Sequence, residues 1–206
     1  MRVVKSRAPV PVSCAAFVPQ SFADCKTRID TDSPHALIQQ AGISLILQTM
    51  AGLPGDTRET VRYTAQRIAA RKPDGVRIYP VAVLPDTPLY DDWQAGRYQP
   101  LDVETAAVWC ADMLEIFERE HIPVIRVGLN PTEELDSTVA AGAYHPAMGE
   151  LAYGELWYRR LRRHIQMTGE RTIAVAPREL SRAIGHKKRN LLRLREQFGA
   201  VHIVAQ

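Results

Sequence analysis

Three groups of side chains in this 206-residue chain have the type and spacing to do chemistry. The first is Gly185-His186-Lys187-Lys188-Arg189, where a glycine precedes an imidazole and three cations. With Arg178, Arg182 and Arg193 nearby, it offers enough positive charge to follow several phosphates of a polyanion. The second is Gly52-Leu53-Pro54-Gly55-Asp56-Thr57. Its glycines let backbone approach a ligand, and the helix that follows presents N–H groups to an anion. The lysine and spacing of a P-loop are absent, and the plain alternative is a tight, well-capped turn. The third is a scatter of polar residues on apolar segments: Gln48, Arg77, Tyr79 and Arg126, with His145 in a loop. An arginine at a strand's carboxyl end can grip a carboxylate or phosphate through two N–H groups, or simply pair with an acid. Imidazole titrates near neutrality, so His145 serves either as a general acid or base or as a fixture of its loop.

The thiols do not form such a group. Cys14 and Cys25 are separated by eleven positions and Cys110 stands far away on a helical pattern, so no ligand set for a metal is expected. The same odd, sparse set of three cysteines argues for a reducing compartment. Prolines at 9, 11 and 19 occupy the place where a signal peptide would need an apolar run, and no apolar stretch is long enough to span a bilayer. A cytoplasmic location is expected, with no membrane partner. The mean hydropathy of −0.20 and a 24% charged share suit a globular protein with its own core.

The elements that must position these groups follow from periodicity. Residues 1–40 show none, and their prolines predict an irregular segment. From Gly42 the pattern alternates. Ile43–Met50 predicts a buried strand, Arg58–Arg71 a helix capped by Thr57, and Gly75–Val81 a second strand. Asp86-Thr87-Pro88 opens an expected loop carrying Tyr90, Trp93 and Tyr98. A helix over 102–120 with Val103, Ala106, Ala107, Cys110, Leu114 and Phe117 on one stripe leads to the strand Val124–Leu129. After a loop ending in Tyr144-His145-Pro146, a helix is expected over 147–167, with Leu151, Trp157, Tyr158 and Leu161 inward. Strand, helix, strand, helix, strand implies right-handed crossovers on a parallel sheet, whose ligands gather at the strands' carboxyl ends. The remainder reads as strand 172–175, helical turn 178–183, loop 185–188, helix 189–198 and strand 201–204. Charge divides the chain at the same place. Residues 159–206 hold twelve Arg or Lys against three Glu, a local net of +9, whereas everything before them nets −6. A basic quarter behind an acidic body suggests RNA or DNA, unless it is only a solvated helix pair.

Several of these strings have an order and spacing that resemble a family. They are Leu47 to Thr57, Val76-Arg77-Ile78-Tyr79-Pro80, Thr87-Pro88-Leu89, Val124 to Leu129, Pro131-Thr132-Glu133 and Gly142-Ala143-Tyr144-His145-Pro146. Together they resemble the C-terminal part of bacterial radical S-adenosylmethionine (SAM) proteins related to the elongator catalytic subunit. The resemblance implies an α/β fold, an incomplete parallel (β/α) barrel of radical SAM type over residues 41–168. It also implies that the Gly52-Leu53-Pro54-Gly55 loop lies beside bound S-adenosylmethionine; among the polar candidates, Gln48 is assigned with that loop to the cofactor, and Arg77, Tyr79, Arg126 and His145 to substrate. Family members carry a [4Fe-4S] cluster on three closely spaced cysteines. No CxxxCxxC stands in this sequence, so the cluster is expected not to be bound by this chain. Residues 7–13 resemble an early barrel strand, which would place a contraction between Ser13 and His35. Residues 169–206 are similar to a KH module, a small βααβ unit whose GxxG loop clamps a sugar-phosphate backbone; here Lys188 replaces the second glycine.

The reading that results is a partial radical SAM protein with an implied role in S-adenosylmethionine-dependent modification of RNA, tRNA in particular. The alternative is a non-catalytic RNA-binding protein on a barrel-remnant scaffold. In both, Arg178, Arg182, Gly185, Lys187, Lys188, Arg189 and Arg193 face the RNA. No acetyltransferase-like segment is expected after the barrel, and a partner chain could supply the missing barrel half. A gene fragment that folds poorly, with the edge of the strand at 44–50 bare, is the third possibility.

Overall fold

The computed structural model describes residues 34–206, so the expected strand at 7–13, Cys14 and Cys25 lie outside the described residues. Helix α1 spans Pro34–Gln40, which corrects the expectation of an irregular segment up to residue 40. Strand β1 (Ile46–Ala51) follows, then helix α2 (Arg58–Ala69), strand β2 (Gly75–Pro80) and the short strand β3 (Ala82–Val83). Thr57 and Thr60 close α2 with a reciprocal capping box, so a second threonine does the work that glutamate more often does.

The loop expected after Asp86 is largely a helix, α3 (Pro88–Gln94). Thr87 accepts a hydrogen bond from the Tyr90 amide and Pro88 opens the first turn, the start signal that makes this segment helical. Helix α4 (Val103–Arg119) and strand β4 (Val124–Val127) stand where periodicity puts them. Thr132 then caps a second unexpected helix, α5 (Glu133–Thr138), and strand β5 (Ala141–Gly142) pairs antiparallel with β3. Gly142 has φ +96°, and a Cβ there would stand 2.7 Å from the Val81 carbonyl oxygen, so this pairing requires glycine.

Helix α6 (Met148–Thr168) ends at Gly169, which adopts the left-handed conformation usual after a helix. Strand β6 (Thr172–Val175), a 3-10 turn over Pro177–Glu179, helix α7 (Leu180–Ile184), helix α8 (Arg189–Phe198) and strand β7 (His202–Ala205) complete the chain. Strands β6 and β7 pair parallel.

The main sheet is parallel, in the order β1-β2-β4. Helices α2, α4 and α6 pack on one face, burying Ala51, Val76 and Ile78 against Val61, Ala65, Leu114, Phe117 and Leu156. The expected parallel order is present, with α2 between β1 and β2 and α4 between β2 and β4, and among the described residues the sheet is an open one that does not close into a barrel. A second core of Leu161, Ile165, Ile173, Val175, Ala183, Leu194 and Val201 lies beneath the basic tail. Helix α6 serves both cores. Of its four residues expected inward, Leu161 is buried, whereas Leu151, Trp157 and Tyr158 are half-buried.

Candidate functional site

The polar row on the sheet is set by register. Gln48 lies beside Arg77, and Arg77 beside Arg126. The register shift between β2 and β4 leaves Ile125 as the extra residue, so Arg126 falls on the same face as Arg77. Alternation puts Gln48, Arg77, Tyr79 and Arg126 opposite the face that α2, α4 and α6 cover. Arg126 donates to Asn130 Oδ1 at 3.0 Å, and no described residue hydrogen-bonds the side chains of Gln48, Arg77 or Tyr79.

The loop after β1 supplies an anion of its own. The amides of Gly52 and Leu53 both donate to Asp56 Oδ2, at 3.1 and 2.9 Å. Tyr98, buried, donates its hydroxyl to the Gly52 carbonyl at 2.6 Å, and burial pushes its pKa up to about 12. Burial raises the Asp56 carboxyl too, although these amides and Thr60 pull the other way. Leu53, Pro54 and Gly55 are exposed at the tip.

The basic tail is built around a strained turn. Gly185 has φ 82° and ψ 161°, and a Cβ there would lie 2.8 Å from Asn190 Cγ. Asn190 is 2% exposed, and its Nδ2 donates to the carbonyls of Gly154, Arg182 and Ala183, tying the turn to α6 and α7. Between those fixed points Lys187 and Lys188 both take left-handed backbone, with φ 50° and 62°. Consecutive non-glycine residues rarely do so, since each costs roughly 1–2 kcal/mol. Such strain is commonest at functional sites.

The tail cations divide into held and free. Arg193 lies 3.5 Å over the Tyr158 ring and donates to Glu155 at 2.7 Å, Arg182 lies 4.3 Å over Tyr153, and Arg189 pairs with Glu104 at 3.0 Å. Lys187, Lys188 and Arg178 are exposed and have no ion-pair partner among the described residues. His145 stands beside this turn, its ring 6.3 Å from that of His186 and edge-on to it. Its Nδ1 accepts from the Ala147 amide, which leaves the neutral ring's proton on Nε2. Burial first, then the neighbouring His186 and Lys187, lowers its pKa. The sequence groups His145 with the strand arginines; in the structure it stands beside the tail turn.

The turn overlooks a cleft of about 460 Å³ between α4, α6 and α8, with Arg58, Trp109, Glu150 and Asn190 among its lining. An adjoining cleft of about 450 Å³ reaches Lys187 and Leu192. The two share Glu104, Leu151, His186, Arg189 and Arg193, so they form one groove. Below it, buried Asp112 binds Arg58 at 2.5 Å and Arg159 at 2.7 Å, with Arg62 at 3.4 Å. Burial alone would raise its pKa, but hydrogen bonds and charge from Arg58 and Arg159 hold it below the ordinary carboxylate value. Sequence reading missed Asp112, Trp109 and Glu104 because their meaning depends on partners far away in the chain.

Cys110 is the one cysteine among the described residues. It is buried, and burial and Asp112 push its thiol up to about 12. No group of three His, Cys, Asp or Glu suited to a metal occurs among the described residues, and no described helix is long and apolar enough to cross a membrane. A three-thiolate cluster therefore does not fit the described residues.

Residues 73–158 match the radical SAM C-terminal domain. The tRNA uridine(34) acetyltransferase of Methanocaldococcus jannaschii is 34% identical over 80 residues, covering 37% of this chain and 15% of that protein. Its counterpart in Methanocaldococcus infernus is 31% identical over the same shares. Protein YhcC of Escherichia coli K12 is 23% identical over 78 residues, 38% of this chain and 25% of that one. Among solved structures, the archaeal Methanocaldococcus infernus Elp3 with an N-terminal deletion covers 65% of this chain and 29% of its own, at 23% identity and a TM-score of 0.47. The chain spans about 15% of the length of the first two curated relatives.

Proposed function

We propose that this chain, whose residues 73–158 match the radical SAM C-terminal domain, binds RNA, tRNA in particular, in the service of RNA modification. One observation carries this reading: two adjacent lysines, exposed and without ion-pair partners among the described residues, are held in strained backbone at the mouth of a groove. Backbone strain that presents cations to solvent adds nothing to folding, and phosphates are what such cations attract. The similarity to two archaeal proteins named tRNA uridine(34) acetyltransferase supports tRNA as the RNA class.

The test is fluorescence anisotropy with labelled tRNA across a salt series. Affinity should fall steeply with salt, and replacing Lys187, Lys188 and Arg189 together by Glu should abolish binding. Unchanged affinity in that variant would refute the assignment.

A second reading, S-adenosylmethionine-dependent modification of the RNA with a partner chain completing the barrel, is favoured by the Gln48–Arg77–Arg126 row. The row lies on a sheet whose β1 ends at the Gly52–Gly55 loop. There the arginines would hold the ligand's carboxylate. Since the described residues lack the thiols for a cluster, no reaction step is assigned to them. Calorimetric titration of S-adenosylmethionine into the wild type and Arg77→Ala tests this: heat in the first and none in the second is the expected result, and equal heats or none in either would count against it.

A further inference from the structure

The reading above uses only the mouth of the groove between α4, α6 and α8, at the lysine turn. Its inner end is lined by the half-buried indole of Trp109, a flat surface of the kind on which bases stack. Glu150, exposed and unpaired among the described residues, offers a carboxylate that can accept from a base's amino edge. Arg189 stands at the waist and Lys187 lines the outer end. Stacking surface, acceptor and cations thus follow one another along a single groove, in the order in which a nucleotide presents base and phosphate. The inner cleft's volume of about 460 Å³ lies in the range that small organic ligands fill.

Charge along the groove is balanced: Arg58, Lys187, Arg189 and Arg193 face Glu104, Glu150, Glu155 and Glu196 in its lining, so a phosphate gains a guanidinium there by exchange with a carboxylate. The weakest link is the Arg189–Glu104 pair. Its side chains are 45% and 73% exposed, and exposed pairs contribute little to stability. An arriving phosphate can take Arg189 and release Glu104 to water, which makes this pair an exchangeable latch across the groove's waist.

The geometry points to this groove as a seat for one unpaired nucleotide of RNA, its base against Trp109 and its phosphate taking Arg189 from Glu104. The inference rests on the RNA-binding reading and deepens it: the ligand is single-stranded or locally unpaired, since a base paired and stacked inside a duplex cannot enter a cleft.

The experiment compares a labelled single-stranded RNA octamer with a duplex of the same sequence at about physiological salt. Glu104→Gln removes the competitor for Arg189 and should tighten octamer binding threefold or more. The gain should vanish when Arg189→Gln is combined with it, because the cycle isolates that pair. Glu133→Gln, an equal charge change on α5, should leave affinity unchanged. In a Trp93→Phe/Trp157→Phe background, Trp109 emission should fall on adding the octamer and stay constant with the duplex. Equal binding of octamer and duplex with unchanged Trp109 emission would overturn the groove assignment while leaving RNA binding standing. A Glu104→Gln gain that persists without Arg189 would overturn the exchange. If neither RNA binds the wild type, the RNA reading itself falls and this inference with it.

Discussion

At the scale of single residues, the tail turn sets function against stability. Lys188 holds φ 62° without a glycine, and its side chain makes no ion pair with the described residues to offset the strain. Lys188→Gly relieves a left-handed cost of roughly 1–2 kcal/mol but frees the unfolded chain, so a net gain of about 0.5–1 kcal/mol is expected. Chemical denaturation should show the midpoint rising while tRNA affinity drops. A variant that loses both stability and affinity would mean that the lysine stem packs structurally. Gly185 is different: its backbone conformation and its closeness to Asn190 tolerate no side chain, so this glycine shapes the turn whether or not phosphate approaches it.

At the scale of elements, α2, α4 and α6 are tied at one buried point. Asp112, on α4, receives Arg58 and Arg62 from α2 and Arg159 from α6, and Arg159 also meets Glu155, which holds Arg193 of α8. Asp112→Asn leaves these guanidiniums without their counter-charge. Since the arginines keep partial access to water, the expected cost is about 2–3 kcal/mol rather than the full penalty of a buried unpaired charge. The pH dependence follows from the lowered pKa. Its stabilisation is complete above the ordinary carboxylate value and is lost as pH falls through the lowered folded value. Melting curves on an acid series should therefore show a steeper loss in wild type than in Asp112→Asn; parallel curves would exclude Asp112 as the titrating group. These elements also show what could be read in advance. Strands β1 and β2 and helices α2, α4 and α6 declare themselves through apolar period and caps. Helices α3 and α5 are too short for a period, and only Thr87 and Thr132 mark their starts. The β3–β5 pair has two residues a side, and its strands are far apart in the chain. In the site, the surplus of tail cations was legible from composition. Which of them are free was not, because Glu104, Tyr153, Glu155 and Tyr158 reach them from α4 and α6.

At the scale of the whole molecule, the acidic body and the basic tail share a helix rather than a linker. Helix α6 gives Ala152 and Leu156 to the main core and Leu161 and Ile165 to the tail core. The two cores should melt together. Leu161→Ala, by opening a cavity of the usual kind, is expected to remove about 2–4 kcal/mol and to lower one transition seen alike by far-ultraviolet circular dichroism and tryptophan emission. Two separated transitions would show that the cores are independent. The direction of β6 and β7 has a temporal consequence. Two neighbours that run the same way cannot be joined by a tight hairpin, so the chain must first carry α7 and α8 across before Thr172 can meet His202. Closing so long an excursion delays the pairing, and the small tail sheet should acquire its protection from solvent exchange after the helices that bridge it.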